Sequence, residues 1–481
     1  MMRTKAILAI AVVTLAIPLA ASNVIVRRSS AEPASTIEPI RAPQTASDAV
    51  RERLRADVAA MQSFRPGYPF WRHVFMIPDG SIAFGSATDG RLLATFPVKK
   101  TWSSERREQQ ALLFERDAGP VMYNSTRGDA LLMNVPKFGG FLAEWGAIYE
   151  RFGVPAEIGL AQVIFESGLS GTRRSNANAI GFCQWQRKNW RRLSYFSQMP
   201  IQELNQTTQA PYCAAYLSIL ATKYGSFIPA LSEHNAGGTN VGRALIAGEQ
   251  LGGADVRARY LLGSRLAHDL RLLPGRDYEP VYGSYGIRSH LYAEMVFGNT
   301  FNVTDLIAST AQASIHAMRL PRAMTLTEIV KRTGLPADEV RRFNPALVAR
   351  VPAGATLYLP FYREELGTDV SFWRRPPSAS YAAVLDDFMR LEPGAERWDD
   401  PAFAPVLSEF RRRFKATNTE EGFVMETALA YAMDQAYAST RRTLLAEYRS
   451  SVKVRSLIER GLLELEALRH GAALRANAAA F

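Results

Sequence analysis

The sequence predicts a mainly α-helical protein, α+β overall, on three observations. Residues 136–297 place apolar side chains at helical spacing in successive runs separated by Gly, Pro and Asn. Two stretches, at residues 78–96 and 314–361, carry strand signals instead. From residue 364 to the end the pattern is again helical, and strongly charged. At 481 residues the chain exceeds one ordinary domain, and roughly two to four are expected.

In chain order, Arg3 and Lys5 precede an apolar run from Ala6 to Ala21 broken by Thr14 and Pro18, with small residues at Ala20, Ala21 and Ser22. This is the order of an export signal cut after Ser22. An uncleaved anchor reaching Val26 and closed by Arg27 and Arg28 is the alternative, at a length near the lower limit for spanning a bilayer. Residues 1–26 are assigned to that signal or anchor, and 27–48, rich in Ser, Ala, Pro and Thr, to a linker. A helix is expected at 46–61. Pro78–Asp79–Gly80 and Asp89–Gly90 then punctuate two alternating runs, a β-hairpin signal within an accessory module at 49–135.

The next segment, 136–310, predicts helices at 141–152, 156–166, 211–224 and 228–235. Gly153–Val154–Pro155 is a turn, with Pro155 placed to start the following helix. Ile158, Ala161, Gln162 and Phe165 give that helix a buried face. Asn235–Ala236–Gly237–Gly238 supplies residues that tolerate the left-handed conformation of a helix end. Residues 311–362 compress a βααβ order into a small module: strand 314–319, helices 325–332 and 337–343 split by Gly334–Leu335–Pro336, and strand 356–359. The remainder, 363–481, is helical. Its final helix, 452–474, carries Val454, Leu457, Ile458, Leu462 and Leu465 on one stripe, which reads as packing against its own domain.

Lys and Arg number 57 against 46 Asp and Glu, a net charge of +11. Nucleic acid is the first thought for such a balance. No zinc pattern, basic zipper or aromatic single-strand motif supports it, so no nucleic-acid partner is expected. An anionic polymer outside the cytoplasm, such as the bacterial cell wall, accounts for the charge equally well. Cys183 and Cys213 leave two readings open, one disulfide in an oxidising compartment or two buried thiols. No residues stand at metal-ligand spacing, and neither a metal nor an organic cofactor is expected.

The chemistry concentrates in Glu166–Ser167–Gly168–Leu169, Ser175, Ala179–Ile180–Gly181–Phe182–Cys183–Gln184 and His234–Asn235–Ala236–Gly237. One carboxylic acid closes an apolar helix, with small residues and amides around it and no second acid at useful spacing. A glycosidic bond needs a proton on its leaving oxygen as the sugar becomes oxocarbenium-like. The donor must stay neutral near pH 7, and burial against apolar neighbours such as Val163, Ile164 and Phe165 raises a Glu pKa. Gly168 leaves room for a sugar. Ser167 and Ser175 are placed to hydrogen-bond the acid or the substrate. Gln184 and Asn235 are neutral amides suited to sugar hydroxyls and N-acetyl groups. A Glu before Ser-Gly at a helix end is by itself usually a solvated residue; the ordered set carries the argument.

Residues 166–185 resemble the signature of the lytic murein transglycosylases of glycoside hydrolase family 23. The match comprises the Glu166–Ser167 pair, Ser175 nine positions after the Glu, the small-residue–Gly-apolar segment and Gln184. Glu233–His234–Asn235–Ala236–Gly237 resembles that family's Tyr-Asn-Ala-Gly segment, with His234 in place of Tyr. Ser289–His290–Leu291–Tyr292 is more loosely similar to its Thr-x-x-Tyr segment, with Arg288 where a Glu is frequent. Cys183 stands where an aromatic or Met is frequent. The βααβ module resembles a degenerate LysM, as in the membrane-bound transglycosylase D type, but opens on Ala323–Met324–Thr325–Leu326 rather than Gly-Asp-Thr-Leu.

The resemblance implies a lysozyme-like helical domain acting in the periplasm on peptidoglycan glycan strands. It implies Glu166 as acid and then base on the sugar's own 6-hydroxyl, giving a 1,6-anhydro product. It also implies substrate contacts from Ser167, Ser175, Gln184, His234, Asn235 and Tyr292. A goose-type-like hydrolytic lysozyme and a non-catalytic wall-binding or scaffold protein remain the alternatives.

Overall fold

In the computed structural model, the described residues are 48–478 apart from 98–105, 107–109, 112, 116–117, 198, 274–276, 284, 287–288 and 438–439. The signal or anchor, residues 27–47 of the linker, and Arg288 lie outside them. All described residues fall in one compact unit. It is mainly helical, with four small antiparallel sheets among the described residues. No helix among those residues is long and apolar enough to cross a membrane.

The N-terminal helix is Asp48–Phe64. Its buried Asp57 accepts from Ser226 Oγ and Phe227 N, both at 2.7 Å, and from Arg257 Nε at 2.6 Å. Ser226 and Phe227 sit at the start of helix Phe227–Ala236, so the carboxylate satisfies an amide that a helix leaves without an internal partner, while Arg257 comes from helix Val256–Leu272. The expected hairpin forms from Ile82–Ser86 and Leu92–Phe96. A third strand, Val121–Ser125, pairs on the other side of the first. It is half-buried along its length, so it lacks the alternation that reveals a strand in sequence.

Helices Leu142–Arg151, Ala156–Ser167 and Tyr292–Ser309 pack around the fully buried helix Gln206–Tyr224 and its neighbour Phe227–Ala236. The buried helix begins five residues before Pro211, the expected start, because the Asn205 side chain accepts from Thr208 N and caps it there. Every residue of this helix is buried, polar ones included. Those polar groups act as fasteners: Thr207 Oγ1 accepts from Trp145 Nε1 at 3.0 Å, and Gln209 bonds Phe182 N and Gly171 O.

The βααβ segment forms as expected, with strands His316–Arg319 and Thr356–Leu359 paired antiparallel and Thr368–Asp369 added at the edge. Met318, Ile329, Val340 and Leu357 make a small core of its own. It is also tied to the helical body, by the Thr208–Tyr358 hydroxyl pair at 2.7 Å and by Asn205 Nδ2 donating to Phe343 O at 3.2 Å.

The C-terminal residues share the main core. Phe388, Trp398, Phe414 and Tyr431 belong to the same apolar cluster as Trp145 and Ile158. The last helix, Val452–Ala478, lays Val454, Leu457, Ile458 and Leu465 against Leu266, Leu270 and Tyr278. Leu462, expected on that stripe, is exposed.

Candidate active site

Helix Ala156–Ser167 carries Glu166 one residue from its end. At its start Ala156 N donates to Glu150 Oε1 at 2.8 Å, since Pro155 has no side chain able to cap it. At its end Gly168 adopts φ 57° and its carbonyl accepts from Asn134 Nδ2 at 2.8 Å. A Cβ on Gly168 would stand 2.9 Å from the Ala130 carbonyl carbon, so only glycine allows the helix to stop and the chain to turn here.

Glu166 is half-buried. Its Oε1 accepts from the Tyr292 hydroxyl at 2.5 Å, and the same hydroxyl accepts from Gln162 Nε2 at 3.3 Å. Gln162 supplies a donor, so the tyrosine proton points at the carboxyl. Oε1 is thereby an acceptor, and the proton of the neutral acid belongs on Oε2. Burial raises the Glu166 carboxyl from its ordinary 4.5 to about 7, against the opposing pull of the Tyr292 hydrogen bond and the Arg173 guanidinium. Tyr292 itself is held well above its usual range, first by burial and then by the neighbouring carboxylate.

After the acid, residues 169–186 form a tight hairpin in which Ala179–Ile180 pairs with Trp185–Gln186. Leu169, Asn178 and Gln184 all have positive φ, three of the four such non-glycine residues among the described ones. Left-handed backbone concentrated in one segment is typical of a functional loop held by its surroundings. Ser175 Oγ accepts from Ala177 N and Ala179 N at 3.2 and 3.0 Å. Gln184 Nε2 donates to Arg173 O and Gly181 O at 3.1 and 3.0 Å. The Cys183–Cys213 disulfide, Cα atoms 6.1 Å apart, fastens the hairpin to the buried helix.

His234 and Asn235 lie at the end of helix Phe227–Ala236. His234 Nε2 is 2.8 Å from Cys183 O. A carbonyl only accepts, so Nε2 carries the hydrogen. Burial lowers the His234 pKa to about 4, opposed by that bond, and the ring is neutral near pH 7. Its ring stacks on Trp185, with centroids 6.1 Å apart. Asn235 is exposed.

Five of the six residues named as substrate contacts thus have structural bonds of their own on a side-chain atom, Ser175, Gln184, His234 and Tyr292 among them. The fifth is Ser167, fully buried with its hydroxyl donating to Val163 O at 3.0 Å. Ser167 and Tyr292 face the interior rather than a ligand, because a helix-end serine can satisfy itself on the preceding turn and the tyrosine lies beneath the acid.

A buried charge network at the root of His234 was not apparent in the sequence. Glu233 Oε2 takes Lys223 Nζ at 3.0 Å and the Tyr224 hydroxyl at 2.6 Å, while Oε1 takes Arg441 Nη1 at 3.0 Å. Asp399 binds the same two cations at 2.9 and 3.1 Å. Burial would raise Glu233, but Lys223 and Arg441 outweigh it and hold the carboxyl below its usual range. Two cavities, of about 880 and 850 Å³, lie among residues 224–259 with 392–449, and around Arg243, Asp277 and Arg460; Glu166 lines neither. No group of three or more potential metal ligands occurs among the described residues. Neither a protein-family model nor a curated protein matches this chain.

Proposed function

We propose that the protein is a peptidoglycan lytic transglycosylase, with a lysozyme-like helical domain around Glu166 and a LysM-like module at 311–362. The observation that carries the reading is the state of Glu166: a lone carboxyl, raised to about 7, with one oxygen taken by Tyr292 and the other left for a proton. A general acid works best with a pKa near the operating pH. Two-carboxylate hydrolysis would need a partner acid across the sugar, and the charged side chain that bears on Glu166 is a cation, Arg173.

In this reading Glu166 Oε2 protonates the glycosidic oxygen between N-acetylmuramic acid and N-acetylglucosamine. The resulting carboxylate is stabilised by the Tyr292 hydroxyl. It then removes the proton of the muramic 6-hydroxyl, which closes on C1 and restores the acid. Water is not consumed, and the nucleophile comes from the substrate. Asn235 supplies its amide to the glycan from the helix end, and Gln184, whose Nε2 already donates to Arg173 O and Gly181 O, offers its carbonyl oxygen from the hairpin. His234, neutral and tied to Cys183 O, holds those two segments together. The LysM-like module, fixed to the body through Tyr358 and Phe343, holds a glycan strand in a constant direction relative to the site.

The experiment is release of soluble fragments from purified sacculi by wild type and Glu166→Gln. The reading expects the variant to release none above background while still folding. Equal release by both proteins would remove it, and sacculus binding without release by either would favour a scaffold.

A further inference from the structure

We infer that Gln162 is a positioning residue for the general acid: its buried amide aims the Tyr292 hydroxyl at Glu166, and lowers the stability of the fold in doing so. The inference rests on the transglycosylase reading and deepens it. Gln162 is 1 % exposed, on a helix that surrounds it with Leu160, Ala161, Val163 and Ile164. Its Nε2 donates to the Tyr292 hydroxyl at 3.3 Å, and that hydroxyl donates to Glu166 Oε1 at 2.5 Å. Its Oε1 is buried and has no hydrogen-bond partner among the described residues. Nor is the amide there to satisfy a neighbouring polar group. The Tyr149 ring lies against Gly159, one turn earlier, so closely that a Cβ there would stand 2.1 Å from it, and the fully buried Tyr149 hydroxyl is also left without a partner.

An amide oxygen buried without a partner destabilises a fold, and an apolar side chain of the same length would fill the position without that penalty. Core packing therefore does not account for Gln162, whereas its bond to Tyr292 does. A phenol oxygen both accepts and donates. With Nε2 supplying a donor, Tyr292 sends its own proton to Glu166 Oε1, which leaves the acid's proton on Oε2. Without that donor Tyr292 is free to accept the acid's proton from Oε1, and a proton held there faces the tyrosine instead of a glycosidic oxygen. The Gln162 donor also polarises the phenol, which strengthens its bond to the carboxylate formed on proton transfer. The titratable groups that bear on Tyr292 are Glu166 and Tyr149, and the charged group that bears on Glu166 is Arg173. Replacing Gln162 leaves all of them in place.

The test is a double-mutant cycle of Gln162→Met and Tyr292→Phe, with Glu166→Gln beside it. It is read by the initial rate of fragment release from sacculi across the neutral and alkaline range, and by melting temperature. Gln162→Met is expected to melt at or above the wild-type temperature and to lose roughly two- to fivefold in rate. Its alkaline limb is expected to move up by roughly 0.2–0.6 pH unit, a fraction of the shift in Tyr292→Phe. In the Tyr292→Phe background the same change is expected to leave rate and limb where they are and to raise the melting temperature, since Nε2 has already lost its acceptor there. Gln162→Leu is measured alongside, so that one poorly packed side chain does not decide the result. A limb that stays in place in both variants overturns the inference, as does a limb shift that recurs undiminished without the Tyr292 hydroxyl. A melting temperature well below wild type in both also overturns it, because the amide would then be structural. If Glu166→Gln keeps its activity, the transglycosylase reading falls and takes this inference with it. An inactive Glu166→Gln beside an unmoved limb in Gln162→Met removes this inference alone.

Discussion

Replacing Tyr292 by Phe removes the hydroxyl that touches the acid and takes from the buried Gln162 Nε2 its acceptor, while the ring stays packed edge-on against Phe165 with centroids 4.9 Å apart. The lost bond is a 2.5 Å contact to a carboxyl oxygen. Hydrogen bonds to charged groups contribute about 1.5–3 kcal/mol. That stabilisation favours the ionised carboxylate, so its removal raises the Glu166 pKa further, by about one to two units at 1.36 kcal/mol per unit. Two effects follow with opposite appearance. The plateau rate falls by roughly ten- to a hundredfold, because the carboxylate formed on proton transfer has lost its donor. The alkaline limb of the pH profile, which wild type shows near 7, moves upward. The assay is the initial rate of soluble fragment release from sacculi across the neutral and alkaline range, with melting temperature as the control for folding. A limb that stays in place or moves down would refute the role given to Tyr292.

The same pKa shift links to stability. Between 4.5 and about 7 the unfolded chain has lost a Glu166 proton that the folded chain retains, so stability falls as pH rises through that window, by at most about 3 kcal/mol. Glu166→Gln lacks this slope, and denaturant titrations at both ends of the window should show the variant gaining on wild type at the upper end. Arg441→Met leaves Glu233 and Asp399 sharing Lys223 alone, and a loss of about 3 kcal/mol is expected from breaking a buried ionic group; urea unfolding measures it. Replacing Cys183 and Cys213 together by Ala opens a link across 30 residues, for which chain entropy gives about 3–4 kcal/mol. The expected companion effect is faster amide exchange in residues 169–186, because the hairpin loses its tie to the buried helix.

Much of the site's frame was legible because it follows from local rules. The acid helix announces itself through Ile158, Ala161, Gln162 and Phe165 at helical spacing, the Pro155 start and the Gly168 stop, and the structure places its ends accordingly. The hairpin at 82–96 and the order of elements at 316–359 were equally readable from turn residues and alternation. What escaped depends on pairs distant in sequence. Gln162 was recognisable as a buried position, but its bond to Tyr292 spans 130 residues. The Lys223–Asp399 contact spans 176, and each member alone looks like an ordinary charge on a helical segment. The two cysteines could not be joined without knowing that the fold brings their Cα atoms to 6.1 Å.

The central claim is that Glu166 gives a proton to a wall sugar and takes one back. Its most direct measurement is the mass of the fragments released from sacculi by wild type, set beside Glu166→Gln. The account predicts products lighter by one water than those of a hydrolase, and none from the variant. Fragments of hydrolytic mass, or anhydro fragments released at an undiminished rate by Glu166→Gln, would contradict it.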